Sequence, residues 1–317
     1  MADRTDITET INKGEFLKPC PGTGGGYLCC GYQILSPATG CGMYCRYCVL
    51  QAYFEEQGQV VYTNFSDLIN EVQQKVSQWK GVLRLGTGEF GDSLFLDPQY
   101  GFSVKVTDLL DKYPNVLTEF KTKSTHIQQL KNIKKPHKSV IGFSLNTSAM
   151  IAVLEKNTAI LEERLKAAAA CVAMGFNVSF HFDPMVWYPQ WEADYRHVVG
   201  LIYTSIKKKE SIAWISMGGF RCVPALKDIL KKEHTHLPLF AGEMILGHDK
   251  KLRYFRPIRI AFYRAMQDEI TRHDPDAVLY MCMESTEVWH EAGMDHRIPN
   301  GLIRYLDKRA TDILRIA

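Results

Sequence analysis

The sequence has no apolar run long enough to cross a membrane. Its hydrophobic residues, 46% of the 317, occur in short stretches, whereas a membrane-spanning helix needs about 20 consecutive apolar residues. The first residues, MADRTDITETINKGEF, lack the apolar stretch behind a basic start that marks a secretory signal. No proline- or serine-rich linker, low-complexity tract or internal repeat is present. We therefore expect a globular protein of the cytoplasm that does not bind membranes.

The sequence also lacks a strong excess of positive or negative charge. A net charge of +3 permits nucleic-acid binding but does not demonstrate it. The number of cysteines, nine, is odd, so they cannot all be paired in disulfides within the chain, and three of them are crowded into the short stretch CGMYCRYC. That crowding does not suit the disulfide framework of a secreted domain. Metal-binding thiols in a reducing compartment suit it better.

The chain alternates β-branched stretches with amphipathic ones. The six predicted strands are GYQIL, GVLRLG, LTEFKT, SVIGFSLN, FNVSFHF and IAWISM. Predicted helices between them include SDLINEVQQKVSQWK with Ser66 as its N-cap, LEERLKAAAACVAMG ending at Gly175, and STHIQQLKNI. This alternation predicts parallel pairing with crossover helices, and hence an α/β barrel or an open doubly wound sheet.

Three segments are expected along the chain. Residues 1–31 form a cysteine- and glycine-rich N-terminal segment, and residues 32–236 form the barrel. Residues 237–317 form a C-terminal extension, in which FAGEMILGHDKKLRYFRP predicts a β-hairpin that is followed by a helix, a strand and a last helix. We expect this extension to pack on the barrel and not to fold as an independent domain.

Polar and glycine-rich loops follow the predicted strands. They are PATGCGMYCRYC, GTGEFGDS, KTKST, NTS, HFDPM and GGFRC. Because the carboxyl ends of parallel strands meet at one edge, these loops should converge on a single site. Such an arrangement is typical of an enzyme.

Cys41, Cys45 and Cys48 in the first of these loops have the spacing C-x3-C-x2-C. Three interpretations are open. The thiols could be inert and buried, or they could hold a structural zinc that takes its fourth ligand from elsewhere. They could also ligate three irons of a [4Fe–4S] cluster and leave the fourth iron open. An open position on a metal is what separates a catalytic site from a closed structural one.

The stretch C-x3-C-x-aromatic-C, with Tyr47 in the aromatic position, resembles the signature of radical S-adenosylmethionine (SAM) enzymes. The resemblance implies a partial (β/α)6 barrel that carries a C-terminal hairpin and helical extension. It implies that a [4Fe–4S] cluster on Cys41, Cys45 and Cys48 binds SAM at the open iron. An electron from a donor such as flavodoxin or ferredoxin would then cleave SAM to methionine and a 5′-deoxyadenosyl radical.

The same resemblance assigns residues to SAM. In GTGE, Gly88 and Glu89 would contact the SAM amino group, and Lys123 would pair with its carboxylate. Ser144 and Asn146 in FSLNT would contact the ribose. Each of these five could instead be an ordinary polar or turn residue at a strand end.

Longer stretches resemble the spore photoproduct lyase family, among them GCGMYCRYCVLQ, EFKTKS, RLKAAAACVAMGFNVSFHFDPM and GHDKKLRYF. This resemblance implies radical repair of a thymine-dimer photolesion in DNA. Two features depart from the family. RLGTGEFGDS contains no cysteine to donate a hydrogen atom, and Val49 stands where the family has a tyrosine of a radical relay, although Tyr47 is retained. Cys222 is the predicted substitute donor, with Cys171 and Cys282 as alternatives.

Other features leave alternatives open. In the hairpin, Lys251, Arg253 and Tyr254 combine charge with an aromatic ring and are the predicted DNA contacts; lysines that protect a sheet edge are the alternative. Cys20 and the Cys29–Cys30 pair could hold an auxiliary metal, donate a hydrogen atom or simply pack. Radical chemistry on another nucleic acid, a peptide or a small molecule, and a non-catalytic metal-bearing DNA-binding protein, are the alternative functions.

Overall fold

The computed structural model describes residues 6–22, 26–53, 58–233 and 237–316. The strands are β1 (Ile7–Thr10), β2 (Leu17–Pro19), β3 (Gln33–Leu35), β4 (Ala38–Thr39), β5 (Tyr44–Cys45), β6 (Gln59–Tyr62), β7 (Leu83–Gly86), β8 (Val116–Thr122), β9 (Ser139–Ser144), β10 (Glu155–Lys156), β11 (Asn177–Met185), β12 (Ile212–Gly219), β13 (Arg221–Cys222), β14 (Met244–Leu246), β15 (Leu252–Tyr254) and β16 (Leu279–Met281).

The α-helices are α1 (Leu50–Tyr53), α2 (Phe65–Ser77), α3 (Asp97–Tyr100), α4 (Phe102–Leu110), α5 (Ser148–Leu154), α6 (Leu161–Ala173), α7 (Trp191–Ser205), α8 (Pro224–Glu233), α9 (Arg256–His273), α10 (Thr286–Glu291) and α11 (Leu302–Leu314). Short 3₁₀ helices cover Gln128–Asn132, Pro136–Lys138, Lys209–Ser211, Pro238–Phe240 and Asp295–Arg297. None of the helices in the described ranges is both long and apolar enough to cross a bilayer.

The main sheet has eight strands in the order β16-β12-β11-β9-β8-β7-β3-β2. Every neighbouring pair is parallel except β2 with β3, which is antiparallel. The six predicted strands form the parallel centre of this sheet, so the predicted α/β partial barrel is confirmed. All eight residues of β12 are buried, as expected for a strand covered on both faces.

Helix α6 illustrates how the sequence sets the crossover helices. Glu163 accepts a hydrogen bond from the Ile160 amide at 3.1 Å, which fixes the first turn. Small alanines then let the helix lie close against β9 and β11. The predicted stop is confirmed at Gly175, whose φ of 91° is in the left-handed region that glycine adopts without strain.

Two local predictions were wrong. Helix α2 begins at Phe65, with Asn64 and not Ser66 in the cap position. The stretch STHIQQLKNI forms only the 3₁₀ helix Gln128–Asn132. Leu130 and Ile133 there are buried three residues apart, a spacing that the three-residue turn of a 3₁₀ helix places on one side. Strands β1 and β6, which pair in a separate small sheet, were not predicted.

The C-terminal part carries the predicted hairpin, in which β14 and β15 pair antiparallel and β13 joins them. The later strand β16 does not stay with the hairpin. It pairs in parallel with β12 at the edge of the main sheet. Helix α9 packs on α7, and α11 packs against β7, β8 and β12. The boundaries proposed at residues 31 and 236 remain predictions.

Candidate active site

A cavity of about 340 Å³ opens at the carboxyl ends of the parallel strands. The predicted site residues that line it are Cys41, Cys45, Tyr47, Cys48, Gly88, Glu89, Lys123, Ser144, Cys222 and Lys251. Three others, Asn146, Arg253 and Tyr254, lie outside it. The fold therefore brings most of the predicted residues to one place, where their individual roles remain predictions.

The three cysteines of the C-x3-C-x2-C stretch lie between β4 and α1, with Cys45 at the end of the short strand β5 and Cys41 and Cys48 in the loops on either side of it. The side-chain amide of Gln51 holds this segment by donating to the Cys45 carbonyl at 2.8 Å. The Cys48 amide donates to the same carbonyl at 3.0 Å. Burial raises the pKa of Cys41 to about 12 and that of Cys45 well above its usual range. Without a metal these two groups are therefore protonated thiols.

Tyr47 lies between the cysteines and a buried ion pair. Its hydroxyl donates to Glu155, which also accepts from the Arg164 guanidinium at 2.5 Å. Burial and the charge of Glu155 hold the pKa of Tyr47 well above its usual range. The Lys123 ammonium lies over the Tyr47 ring, 5.8 Å from its centre, so the ring faces the residue that is predicted to pair with the SAM carboxylate.

The loop after β7 approaches β8 so closely that Gly88 has no room for a side chain. A Cβ at Gly88 would lie 2.8 Å from the Cβ of Lys121. Asp92 fastens the same loop by accepting from the Thr122 hydroxyl at 2.8 Å and from the Lys123 amide at 2.7 Å. Glu89 thereby faces the cavity, where it pairs with Lys121 at 3.4 Å.

Glu119 on β8 is a buried carboxylate at the base of the cavity. It accepts hydrogen bonds from Tyr32 at 2.7 Å, His181 at 2.8 Å, Trp214 at 3.0 Å and Ser179. Burial alone would raise the pKa of Glu119, but the charge of His181 and these hydrogen bonds outweigh it. The pKa falls to about 2, so Glu119 carries a negative charge at neutral pH.

Asp183 and Arg221 also line the cavity and form a bidentate ion pair. The two guanidinium nitrogens of Arg221 donate to the two carboxylate oxygens of Asp183 at 3.1 and 3.0 Å. Cys222, next to Arg221, is buried, and burial raises the pKa of its thiol to about 11. Cys222 therefore keeps its S–H bond at neutral pH.

Asn146 supports the framework of the site from outside the cavity. Its amide donates to the Pro184 carbonyl at 3.1 Å, and its oxygen accepts from the Tyr195 hydroxyl at 2.8 Å. Since the side chain is buried and bound within the protein, the predicted contact with the SAM ribose is not supported. Ser144, which does line the cavity, keeps that prediction.

Arg253 and Tyr254 are buried inside the hairpin, which does not support their predicted contact with DNA. Arg253 donates to Asp249 at 2.6 Å and stacks over Tyr27, with its guanidinium carbon 4.1 Å from the ring centre. The Tyr254 hydroxyl donates to the Leu239 carbonyl at 2.9 Å. Strand β15 is the central strand of its sheet, between β13 and β14.

The sequence analysis missed Lys121 and Glu119. A usable signal was present, because Glu119, Lys121 and Lys123 are alternate residues of one strand and its end, and alternate residues point to the same face. Three charged side chains on one face of a buried parallel strand indicate a polar cavity on that side.

Sequence comparison connects the chain with known proteins. The family described as "Spore photoproduct lyase" matches residues 30–241. The spore photoproduct lyase of Clostridium acetobutylicum is 24% identical over 181 residues, which are 56% of this chain and 54% of that protein. That of a Geobacillus species is 26% identical over 160 residues, 50% of this chain and 47% of that protein. The chain thus spans about half the length of the curated relatives it matches.

Solved structures share the fold. A double mutant of spore photoproduct lyase with bound AdoMet and dinucleoside spore photoproduct superposes with a TM-score of 0.78 at 18% identity, covering 88% of this chain and 83% of that one. Streptococcus suis SuiB bound to S-adenosylmethionine gives a TM-score of 0.50 at 12% identity, over 81% of this chain and 51% of that one. At such identities the likeness establishes the fold.

Proposed function

Because the chain belongs to the spore photoproduct lyase family, we propose that it is a radical SAM enzyme that repairs a thymine-dimer photolesion in DNA. The observation that supports this most directly is the placement of Cys41, Cys45 and Cys48. These thiols line the same cavity as Glu89 and Lys123, at the carboxyl edge of a parallel sheet.

The thiols fit a [4Fe–4S] cluster in number and chemistry. Across the described side chains, no three His, Cys, Asp or Glu groups already surround a position for a single ion. In a [4Fe–4S] cluster each thiolate binds a different iron, so the thiols need to surround the cluster and need not converge on a single point. When bound, the cluster supplies the electron, received from a donor such as flavodoxin or ferredoxin, that cleaves SAM to methionine and a 5′-deoxyadenosyl radical.

The chain's own residues would bind and orient SAM. Glu89 can accept from the SAM ammonium group, and Gly88 lets the loop that bears Glu89 approach closely. Lys123 is half-buried; burial opposes its charge, but the charge of Cys45 in its thiolate form and that of Glu155 outweigh burial and raise the pKa of Lys123. Its permanent positive charge can therefore pair with the SAM carboxylate and offset the negative charge of ligated thiolates. Ser144 can contact the ribose.

The lesion would occupy the wall formed by His181, Arg221 and Lys251. N–H donors on that wall can hold the carbonyl oxygens of two linked thymines, and Lys251 at the rim can contact a neighbouring phosphate. The damaged bases would have to leave the stack to reach it.

Cys222 is the donor that we propose for the last hydrogen atom. Hydrogen-atom donation requires an S–H bond, and the raised pKa of Cys222 preserves that bond. One hydrogen atom would pass from its sulfur to the substrate carbon radical, leaving a thiyl radical on the cysteine. Tyr47, held on Glu155, is the residue retained from the family's relay.

The proposed SAM cleavage is tested with an assay under anaerobic conditions. The protein is reconstituted with iron and sulfide, reduced and incubated with SAM, and 5′-deoxyadenosine is measured. We expect product from the wild type and from Cys171→Ala, a buried helix cysteine outside the cavity, and none from Cys45→Ala. Loss of dimers from irradiated DNA then tests the substrate, with Cys222→Ala expected to cleave SAM but to stall repair.

The possible failures separate the proposals. Cleavage of SAM without loss of dimers would refute the DNA substrate and favour a peptide or small molecule. An intact, reduced cluster that leaves SAM uncleaved would refute radical chemistry and favour a non-catalytic DNA-binding protein.

A further inference from the structure

Of the nine cysteines, all but Cys171 line the cavity described above. Cys41, Cys45, Cys48 and Cys222 have been discussed. The remaining four, Cys20, Cys29, Cys30 and Cys282, come from parts of the chain that are distant in sequence. They have no part in the function proposed above.

Backbone hydrogen bonds bring these four cysteines together. The Cys20 amide donates to the Tyr32 carbonyl at 3.0 Å, which places Cys20 beside the segment that follows Cys30. The Leu28 amide donates to the Glu284 carbonyl at 2.9 Å in an isolated antiparallel bridge. That bridge places the Cys29–Cys30 pair beside the chain that carries Cys282.

The side chain of Glu284 anchors the bridge between Leu28 and Glu284 to a neighbouring helix. Its two carboxylate oxygens accept from the Tyr263 hydroxyl at 2.7 Å and from the Arg259 guanidinium. Both residues belong to α9, so the position of the Cys282 segment is set by a buried ion pair and a long helix. Backbone hydrogen bonds and this buried ion pair therefore position the loop segments that carry the four cysteines.

The thiols of these cysteines interact with one another. The Cys30 thiol donates a hydrogen bond to the sulfur of Cys29. Cys20 and Cys282 line the same cavity and lie close enough to Cys30 to interact with it electrostatically.

Positive side chains surround this group. The Arg221 guanidinium lies 3.5 Å from the sulfur of Cys282. Lys121 lines the same cavity, where its ammonium pairs with Glu89 at 3.4 Å. These two half-buried cations would offset the negative charge that several ligated thiolates bring into the cavity.

We propose that Cys20, Cys29, Cys30 and Cys282 hold a second iron–sulfur cluster, separate from the one proposed on Cys41, Cys45 and Cys48. Four thiolates complete the coordination of a cluster, which is the closed arrangement of a structural or electron-transfer centre. Two neighbouring cysteines can serve adjacent corners, and the nearby cations fit an anionic cluster. This second site does not depend on SAM cleavage.

The experiment measures metal in the full-length chain. Wild type, the triple variant Cys41→Ala/Cys45→Ala/Cys48→Ala, and that variant with Cys29→Ala and Cys282→Ala added are reconstituted anaerobically. Iron, sulfide and zinc are counted per chain, and the reduced proteins are examined by electron paramagnetic resonance. We expect about eight irons in the wild type, about four in the triple variant, and close to none when all five are replaced. Cys171→Ala, the control, should match the wild type.

Two outcomes overturn the proposal. One is a folded triple variant that retains no iron, and the other is zinc in place of iron at the second site. If circular dichroism shows that the triple variant is unfolded, Cys29→Ala/Cys282→Ala in the otherwise intact chain replaces it. That variant should fall from about eight irons to about four, and unchanged iron would refute the second cluster. None of these readouts requires activity on SAM or DNA.

Discussion

Glu119 is charged in the interior because the surrounding residues supply enough hydrogen bonds to replace water. Four side chains donate to it, two from β11, one from β12 and one from the segment before β3. A buried charge of this kind is stable only while its partners remain, since an unpaired carboxylate would be costly in an apolar interior. His181, which lines the cavity, is held in place by this carboxylate.

We predict that Glu119→Gln lowers the free energy of unfolding by about 2–4 kcal/mol at pH 7, because a neutral amide cannot accept from all four donors. The pKa of Glu119 is lowered from 4.5 to about 2, which corresponds to about 3 kcal/mol. That stabilisation is present above about pH 4.5 and is lost as the pH falls toward 2. Urea unfolding at pH 7 and pH 3 should therefore show a smaller difference between variant and wild type at pH 3.

Glu192→Gln is the control, since Glu192 pairs with Arg196 at an exposed position on α7. It should change the free energy of unfolding by less than about 1 kcal/mol. A difference between Glu119→Gln and wild type that is as large at pH 3 as at pH 7 would contradict the role assigned to the charge.

For individual residues, the sequence predicted those site residues that lie close to one another along the chain. Cys41, Cys45 and Cys48 are recognisable because one short stretch carries all three. The contacts of Glu119 could not be predicted, because Tyr32, Ser179 and Trp214 reach it from other parts of the chain and nothing in the sequence fixes how those parts align. The same applies to Cys282, whose neighbours Cys20 and Cys30 lie at the other end of the chain.

Among the elements, the hairpin differs most from its predicted role. The residues chosen as DNA contacts, Arg253 and Tyr254, face inward, while the turn and the opposite strand face solvent. Ile245 is 37% exposed, Leu246 is 61% exposed and Lys250 is exposed. An apolar pair next to a cation is the combination that can insert beside a base step while it contacts a phosphate.

We predict that the two faces of the hairpin respond differently to substitution. Leu246→Ser and Lys250→Gln should each weaken binding to irradiated duplex DNA on the order of fivefold, with a shallower salt dependence for Lys250→Gln, and leave stability unchanged. Tyr254→Phe removes the hydroxyl bound to Leu239, so it should cost about 1–3 kcal/mol of stability and leave affinity unchanged. Fluorescence anisotropy over a salt series and urea unfolding measure the two effects.

Tyr254→Phe is the control for the two surface variants, because it should lower stability without lowering DNA affinity. If Tyr254→Phe weakens DNA binding while stability is unchanged, the buried face of the hairpin contacts DNA, as the sequence analysis predicted. If neither Leu246→Ser nor Lys250→Gln affects binding, the hairpin has no direct part in it.

Most helices and strands could be predicted from the spacing of their apolar residues and from the residues that end them. The six central strands and helices such as α6 and α7 follow from β-branched runs, apolar spacing and glycine stops. The short outer strands could not, because β1, β2 and β6 have three or four residues each and gain their order from pairing with other segments. Pairing of β16 with β12 is likewise a long-range event.

Across the whole molecule, both ends of the chain help to wall the cavity. Cys20, Cys29 and Cys30 come from the N-terminal segment, and Lys251 and Cys282 come from the C-terminal part. The sheet joins the two, since β2 lies at one edge and β16 at the other. The site is therefore complete only when segments beyond the central strands are in place.

Arg84 on β7 connects these distant parts through one buried side chain. Its guanidinium donates to Asp307 of α11 at 2.8 Å and to the Cys30 carbonyl in the N-terminal segment. We therefore predict that residues 237–317 unfold together with the barrel. Arg84→Met should lower the free energy of unfolding by about 2–4 kcal/mol, because it leaves a part-buried carbonyl and a part-exposed carboxylate without their shared partner. Urea transitions followed by far-ultraviolet circular dichroism and by tryptophan fluorescence should shift together.

Arg256→Met is the matched control, since it removes an ion pair of similar length, 2.9 Å to Glu291, in which both side chains are exposed. Its cost should stay below about 1 kcal/mol, because water already solvates both charges. Equal effects of the two substitutions would mean that Arg84 does not link the segments. Two separate transitions, with the second unmoved by Arg84→Met, would mean that the C-terminal part folds by itself and that the cavity is assembled from independent units.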